Sequence, residues 1–324
     1  MGQNSNINEK SSMSLQERYG KASLKGYKTR NWQEAMEEFQ RLENEGLGEA
    51  SVALGQLAQT SDKSKALAHF RKAAAKGVAE GAWGCAAIIN HSYLADIYGA
   101  DKQWYCYCLL AAQRGCSDAM NELGNMYNRR NDYLGAFYWY QMADFYEHPQ
   151  ALYAVSGTID KYKAAGKPAV ASTIDGVRPK DIKNAISIFR CMTMQDELNQ
   201  ARMDSFLRAA MEDDNEIMGL FIGHFFENIK MDGNAKLGYQ IAAHNNSIMG
   251  MKCLADMQAY GKGCEVDLKT AYGWYKAAAD AGEKTACFVM GEFLRKPNPY
   301  LAAYYYTVAY RRGYEPALTR LQQM

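Results

Sequence analysis

The chain has 324 residues, of which 48% are hydrophobic, and its 37 basic and 36 acidic side chains give a formal net charge of +1 at pH 7. This balance argues against a dedicated electrostatic binder of nucleic acid. No apolar run approaches the roughly 18 residues that a membrane-spanning helix needs, and no signal peptide is recognisable. We therefore expect a cytoplasmic protein that does not insert into membranes.

The first half of the chain predicts a polar tail followed by helical hairpins. Residues 1–12 are polar and lack periodicity, so we expect them to be disordered. A first hairpin is predicted over residues 14–46, with Asn31 as the N-cap of its second helix. Asp118 and Asp132 also stand where N-caps are expected. Three more hairpins are predicted, which pair residues 49–59 with 62–76, 79–90 with 100–114, and 117–129 with 132–146.

The helical pattern is interrupted near the middle of the chain. Residues 161–180 contain Pro168 and Pro179 among glycine and aspartate turn residues, and they predict an irregular insertion loop. Helices resume at residues 181–194 and 196–211, and three further hairpins follow. The last helix, 316–323, is expected to lack a partner and to cap the array. The predicted organisation is a tail (1–12), repeats (13–160), the insertion (161–180), and repeats with a cap (181–324).

A single sequence frame recurs along these hairpins. Its features are an aromatic pair, an alanine pair four residues later and a glycine that stops the helix; in residues 261–286 these are Trp274-Tyr275, Ala278-Ala279 and Gly282. A small residue opens the next helix, and a Leu-Gly pair or a similar pair follows it. This periodicity indicates a repeat architecture. The stopping position recurs at intervals of 31 to 38 residues, apart from one interval of 66, at Gly46, Gly77, Gly115, Glu147, Asp213, Asn246, Gly282 and Gly313.

The frame resembles the Sel-one-like (SLR) repeat, a relative of the tetratricopeptide repeat, with Cys264 in place of a valine and Met290 in place of a leucine. The resemblance implies an all-α fold: a right-handed α-solenoid of about nine antiparallel helix–turn–helix repeats with a C-terminal capping helix. It also implies a non-catalytic scaffold or adaptor that binds a protein or peptide partner on the concave face of the solenoid.

The tetratricopeptide geometry, carried over to this frame, places a set of polar residues on the concave face. They lie close to the Leu-Gly positions of three hairpins and are Asn121, Asn125, Asn128, Arg129, Lys252, Asp256, Glu292 and Arg295. Asparagine and basic side chains can hold the backbone or a carboxylate of a partner. We expect alanine at Asn121, Asn125 and Lys252 together to weaken partner binding without lowering the melting temperature.

The residues that usually carry catalysis or bind metals are scattered. None of the five histidines lies in a metalloprotease or paired-cysteine motif. Cys106 and Cys108 are two residues apart on a predicted helix and point about 200° apart, so they cannot share a metal ion. The eight cysteines share no repeat position, and we expect reduced thiols. We therefore predict no enzyme, no cofactor and no metal. Only a deep pocket lined by His224, Glu227 and His244 would favour catalysis.

Two functional hypotheses are open at this point. The first is a scaffold for a protein partner, as the resemblance implies. The second is a bacterial immunity or inhibitor protein that neutralises a cognate toxin or effector enzyme by binding it, with residues 161–180 as an inserted contact element. The sequence favours a monomer in both cases.

Overall fold

The computed structural model describes residues 13–30, 32–89, 100–166, 173–193, 205–208 and 216–324. All regular structure in these residues is helical. Helices that follow one another along the chain pack together as hairpins, which confirms the predicted all-α solenoid. Within the described ranges no helix is both long enough and apolar enough to cross a bilayer.

The helices of the first half of the chain are α1 (Leu15–Thr29), α2 (Gln33–Asn44), α3 (Gly48–Ala58), α4 (Lys63–Ala75), α5 (Ala79–Ile89), α6 (Ala100–Ala112), α7 (Ser117–Arg129), α8 (Tyr133–Phe145) and α9 (Ala151–Ala164). Those of the second half are α10 (Pro179–Thr193), α11 (Glu216–Asn228), α12 (Asp232–His244), α13 (Ile248–Tyr260), α14 (Leu268–Asp280), α15 (Lys284–Leu294), α16 (Pro299–Arg311) and α17 (Pro316–Gln323). The chain divides into two compact units: unit 1 is Met1–Trp104 with Tyr275–Met324, and unit 2 is Tyr105–Trp274.

The stopping position of the sequence frame is a left-handed backbone position, as a helix C-terminus requires. This confirms the predicted register, including two positions where the frame has no glycine: Glu147 at φ 59° and Asn246 at φ 61°. Asp213, the remaining non-glycine position, lies outside the described residues. The glycines of the frame with positive φ are Gly46, Gly77, Gly115, Gly282 and Gly313.

The glycine of each Leu-Gly pair makes room for the aromatic residue of the following helix. A Cβ atom on Gly124 would lie 2.5 Å from the ring of Tyr140, and one on Gly291 would lie 2.4 Å from the ring of Tyr306. Contacts this short do not occur between real atoms, so the ring packs directly on the helix backbone. The recurrence of these two residue types is thus a packing requirement.

The helix starts show which predicted N-caps are real. The Asp132 carboxylate accepts a hydrogen bond from the Gly135 amide at 3.0 Å, as predicted. Asp118 is not a cap, because α7 begins at Ser117 and its N-cap position is Cys116. Asp118 lies two residues after the N-cap position, and its carboxylate is in the first turn of the helix instead. Asn31 lies outside the described residues.

The two ends of the chain meet in unit 1. Helix α1 packs against α16, and the approach is so close that a Cβ atom on Gly20 would lie 1.8 Å from the Tyr300 carbonyl oxygen. Helix α17 packs against both α16 and α1. The expectation that the last helix lacks a partner is therefore wrong. The last helix thus covers the end of α16 together with the first helix of the chain.

The predicted insertion loop is shorter than residues 161–180. Helix α9 continues to Ala164, because residues 161–165 contain no glycine or proline, and α10 already begins at Pro179, a residue suited to a first helical turn. Between these helices, residues 167–172 lie outside the described ranges. The same holds for the predicted disordered tail, for the loop at 91–99, and for the predicted helix 196–211 except its helical residues 205–208.

Candidate functional site

The predicted partner-binding residues of α7 mostly contact their own hairpin. Asn121 exposes only 7% of its surface, so it cannot present its amide to a partner. The Asn125 side-chain oxygen accepts a hydrogen bond from the Tyr140 hydroxyl at 2.7 Å, and the Asn128 amide lies 3.4 Å from the same hydroxyl. Arg129 is exposed. The tyrosine at the aromatic position thus holds two of the asparagines.

The predicted residues of α13 form an ion-pair network inside unit 2. The Lys252 ammonium lies 3.3 Å from a Glu147 carboxylate oxygen and 3.1 Å from an Asp256 oxygen, and the lysine exposes 15% of its side chain. Burial would lower the pKa of Lys252, but the nearby charges raise it above its usual value. We therefore revise one expectation: alanine at Asn121, Asn125 and Lys252 together removes internal contacts and should lower the melting temperature.

The predicted residues of α15 behave in the same way. Glu292 accepts a hydrogen bond from the Tyr306 hydroxyl at 2.7 Å and one from Arg320 at 2.7 Å. Arg295, at the C-terminus of the helix, is exposed. Of the eight predicted residues, Arg129 and Arg295 are the two with exposed side chains.

An open groove lies elsewhere, in unit 1, at the meeting point of the two chain ends. Its volume is about 430 Å³, which suits one or two side chains of a ligand. We call it the aromatic groove. It is bounded by the end of α1, the start of α2, one face of α3, and the end of α16 with the turn that follows. The lining residues are Tyr27, Trp32, Ala53, Gln56, Leu57, Tyr310, Arg311, Gly313 and Glu315.

Three aromatic rings form the walls of the aromatic groove. The Tyr27 ring stands nearly perpendicular to Trp32, at a centroid distance of 4.9 Å, and nearly perpendicular to Tyr310, at 5.9 Å. Edge-to-face geometry of this kind is favourable. Trp32 is fixed from behind, because its ring packs on Gly26, where a Cβ atom would lie 2.6 Å from it. The groove is therefore built before any ligand arrives.

The floor of the aromatic groove is one face of α3. Ala53, Gln56 and Leu57 follow one another at helical spacing, and Leu57 exposes 36% of its surface although it is large and apolar. Gln56 has the same repeat position as Asn125, two residues after the first member of the Leu-Gly pair. The aromatic residue of the next helix here is Phe70, which has no hydroxyl group to hold it. Gln56 is accordingly exposed.

Polar groups at the rim offer both donors and acceptors. The Arg311 guanidinium donates to the Tyr19 hydroxyl and to the Glu49 carbonyl oxygen, the latter at 3.3 Å. Burial raises the pKa of the Tyr27 hydroxyl, which stays a neutral donor at physiological pH. Glu315 is exposed, and its carboxylate makes no capping bond to α17. A peptide backbone needs donors and acceptors together, and this rim supplies both.

The aromatic groove was not predicted from the sequence. Its residues come from segments more than 250 positions apart, and a repeat pattern does not show that the first and last hairpins meet. One signal was available in the sequence. Position 70 is a phenylalanine, whereas the equivalent positions of two other hairpins are Tyr140 and Tyr306. Without the tyrosine hydroxyl, Gln56 has no such group to bond.

The residues considered for catalysis have structural partners. Glu227 accepts hydrogen bonds from Tyr239 at 2.6 Å and Lys262 at 3.0 Å. The His224 ring stacks on Phe145 at 5.3 Å, and burial lowers the pKa of its imidazole. His244 Nδ1 lies 2.7 Å from the Gln240 carbonyl oxygen. In the part of the chain that the structure describes, no group of three His, Cys, Asp or Glu residues could hold a metal ion.

The Sel1 repeat family matches this chain at residues 48–78, 117–143, 253–283 and 286–314. No curated protein matches it. One similar solved structure is a protective antigen present in uropathogenic Escherichia coli strains that displays an SLR fold; identity is 18%, the TM-score is 0.38, and the match covers 95% of this chain and 63% of that one. Another is a Sel1 repeat protein from Oxalobacter formigenes, with 22% identity, a TM-score of 0.34, and coverage of 81% and 69%.

The family matches and the structure agree on the same register. The matched repeat at 48–78 ends in the left-handed turn at Gly77, and the one at 286–314 ends in the turn at Gly313. Repeats of this kind generally mediate protein–protein interaction. The chain is an α-helical repeat protein that carries four Sel1 repeats.

Proposed function

We propose that this protein is a non-catalytic adaptor whose aromatic groove binds a peptide segment of a protein partner. The proposal is based on one observation: the rings of Tyr27, Trp32 and Tyr310 line an open groove together with the exposed Leu57. Aromatic residues in a preformed pocket are the usual anchors of protein interfaces.

The chemistry of the groove defines the partner segment. Its walls and floor fit one large apolar or aromatic side chain, since such a residue buries the most apolar area per side chain. The Gln56 amide and the Arg311 and Glu315 side chains at the rim fit the amide groups of an extended backbone on either side of that residue. A folded partner would present such a segment as a loop or a chain end.

A peptide selection tests this proposal. Random peptides displayed on phage are selected on the wild-type protein, and the affinity of the enriched peptides is measured for Trp32→Ala and Tyr310→Ala. We expect the peptides to share a large apolar residue and both variants to bind at least about tenfold more weakly. Tyr153→Ala is the matched control, because Tyr153 exposes 81% of its surface, belongs to unit 2 and does not line the groove. Peptides that bind both groove variants as tightly as the wild type would refute the proposal.

The immunity or inhibitor hypothesis is a narrower form of the same idea, in which the partner is an enzyme that loses its activity on binding. Co-purification of one stoichiometric partner with lost activity would support it. It stays a prediction, as do the cytoplasmic location and the monomeric state.

A further inference from the structure

A short turn from the insertion lies on the surface of unit 2. Residues 174–177 form this turn, closed by a hydrogen bond from the Val177 amide to the Ile174 carbonyl oxygen at 3.1 Å. It contacts helix α6, which lies more than 60 residues earlier in the chain. The repeat frame is absent between residues 161 and 204, so the turn is an addition to the array and not one of its repeats. We call it the strap.

The strap makes hydrogen bonds of the kind that a bound peptide makes. The Tyr105 hydroxyl donates to the Asp175 carboxylate at 3.3 Å, and the Gln113 side-chain amide donates to the Gly176 carbonyl oxygen at 3.1 Å. The first hydrogen bond is to a side chain of the strap, and the second is to its backbone. Both lie near solvent, where a competing ligand or water can replace them.

Two residues of the strap, Gly176 and Ile174, are also constrained in residue type. Gly176 has a φ of +76°, and a Cβ atom there would lie 2.7 Å from the Leu109 side chain. The backbone conformation therefore favours glycine, since other residues are strained at this φ. Ile174 exposes only 3% of its surface. The α6 surface thus contacts the aspartate side chain and the glycine backbone of the turn in succession.

The protein side of this contact is preformed. The Tyr105 hydroxyl lies 3.4 Å from the Tyr127 hydroxyl of α7, which places it for donation to a carboxylate. Leu109 and Gln113 follow Tyr105 at intervals of four residues, so the three side chains share one face of the helix. Tyr105 and Leu109 of α6 thus contact the aspartate and the glycine, and Gln113, directly after α6, contacts the backbone of the turn.

We propose that Tyr105, Leu109 and Gln113 form a second peptide-binding site, specific for an Asp–Gly turn, which the strap occupies until a partner with the same turn displaces it. A tethered segment acts at an effective concentration on the order of millimolar. A free ligand therefore competes poorly while the strap is bound, so the strap lowers the apparent affinity of the site for a partner. This inference does not rest on the aromatic groove, which lies in unit 1.

The test uses a fluorescent peptide with the sequence of residues 172–178, Ser-Thr-Ile-Asp-Gly-Val-Arg. Its binding is measured by anisotropy on the full-length wild type and on Asp175→Ala/Gly176→Val, which weakens the strap and leaves the site untouched. We expect the variant to bind the peptide about tenfold more tightly than the wild type does. A peptide with alanine in place of its glycine should not bind, and adding Tyr105→Phe to the variant should weaken binding.

Helix content by circular dichroism shows whether the double variant is folded, and Asp175→Ala alone replaces it if it is not. Equal peptide affinity for the wild type and the folded variant would overturn the proposal, because the strap would then not compete for the site. Failure of the folded variant to bind the peptide at about millimolar concentration would overturn it as well.

Discussion

The two units use the same repeat but leave different surfaces available. In unit 1 the aromatic groove is open, and Gln56 on its floor is exposed. In unit 2 the Tyr140 hydroxyl holds Asn125, and the strap covers part of α6. The comparison shows that the aromatic position of the repeat has two roles. Phe70, Tyr140 and Tyr306 each fill the space over a glycine, but of these three only the two tyrosines also bond the polar residue next to that glycine.

The largest expected effect comes from breaking the packing that both units share. In unit 2, Ala242 of α12 packs on Gly250, where a Cβ atom would lie 2.7 Å away; Ala278 has the equivalent position in unit 1 and is 0% exposed. Ala278→Glu should lower the free energy of unfolding by at least about 3 kcal/mol, since it buries an unpaired charge. Urea denaturation followed by circular dichroism measures this.

The control for that substitution is Gly273→Glu, an exposed position of the same helix, α14, with open space around it. It introduces the same side chain and should leave stability unchanged or raise it slightly. A similar loss of stability in both variants would mean that the alanine register assigned here is wrong.

The second effect is specific to a buried carboxylate of unit 1. His69 Nδ1 lies 2.6 Å and Lys72 Nζ 2.8 Å from the Glu43 carboxylate. Burial alone would raise the pKa of Glu43, but hydrogen bonds from Lys72, His69 and Ser51 lower it to about 2. Because the pKa of Glu43 is lower in the folded state than its ordinary value of 4.5, the ionised carboxylate stabilises the folded state at pH values above 4.5. This contribution is lost as the pH falls from 4.5 towards 2.

Glu43→Gln should therefore cost about 2 kcal/mol at pH 7, and the difference from the wild type should shrink as the pH approaches 2. Glu37→Gln, an exposed position of the same helix, is the control and should show no such dependence. A constant difference between Glu43→Gln and the wild type across this pH range would contradict the assigned ion pairs.

A smaller effect on stability distinguishes the packing of the aromatic ring from the hydrogen bond of its hydroxyl group. Tyr140→Phe keeps the ring over Gly124 and removes only the hydroxyl group, so it should cost about 1 kcal/mol, the value of one lost hydrogen bond. Tyr153→Phe removes the same group from an exposed ring and should cost nothing measurable. Equal thermal midpoints for the two variants would show that the bond to Asn125 contributes no stability.

The sequence allowed the repeat register to be predicted in detail but not the contacts between distant hairpins. Even Glu147 and Asn246 were identified as helix stops without glycine, because small and aromatic residues fix the frame around them. The eight concave-face residues were chosen by analogy. That analogy ignores the side chain of the following helix, and so it missed the tyrosines that hold Asn125 and Glu292. The groove forms where the two chain ends pack together, and this packing produces no periodic pattern in the sequence.

The packing of the chain ends on each other in unit 1 is the basis of the aromatic groove. Arg312, just after α16, forms an ion pair with Glu80 of α5, with Nη2 at 2.6 Å from a carboxylate oxygen. A double-mutant cycle of Glu80→Gln and Arg312→Gln, measured by urea denaturation, tests this contact across 232 residues of chain. We predict a coupling energy of about 1 kcal/mol. Strictly additive effects would contradict this contact and the packing of the last hairpin on the N-terminal repeats, on which the groove depends.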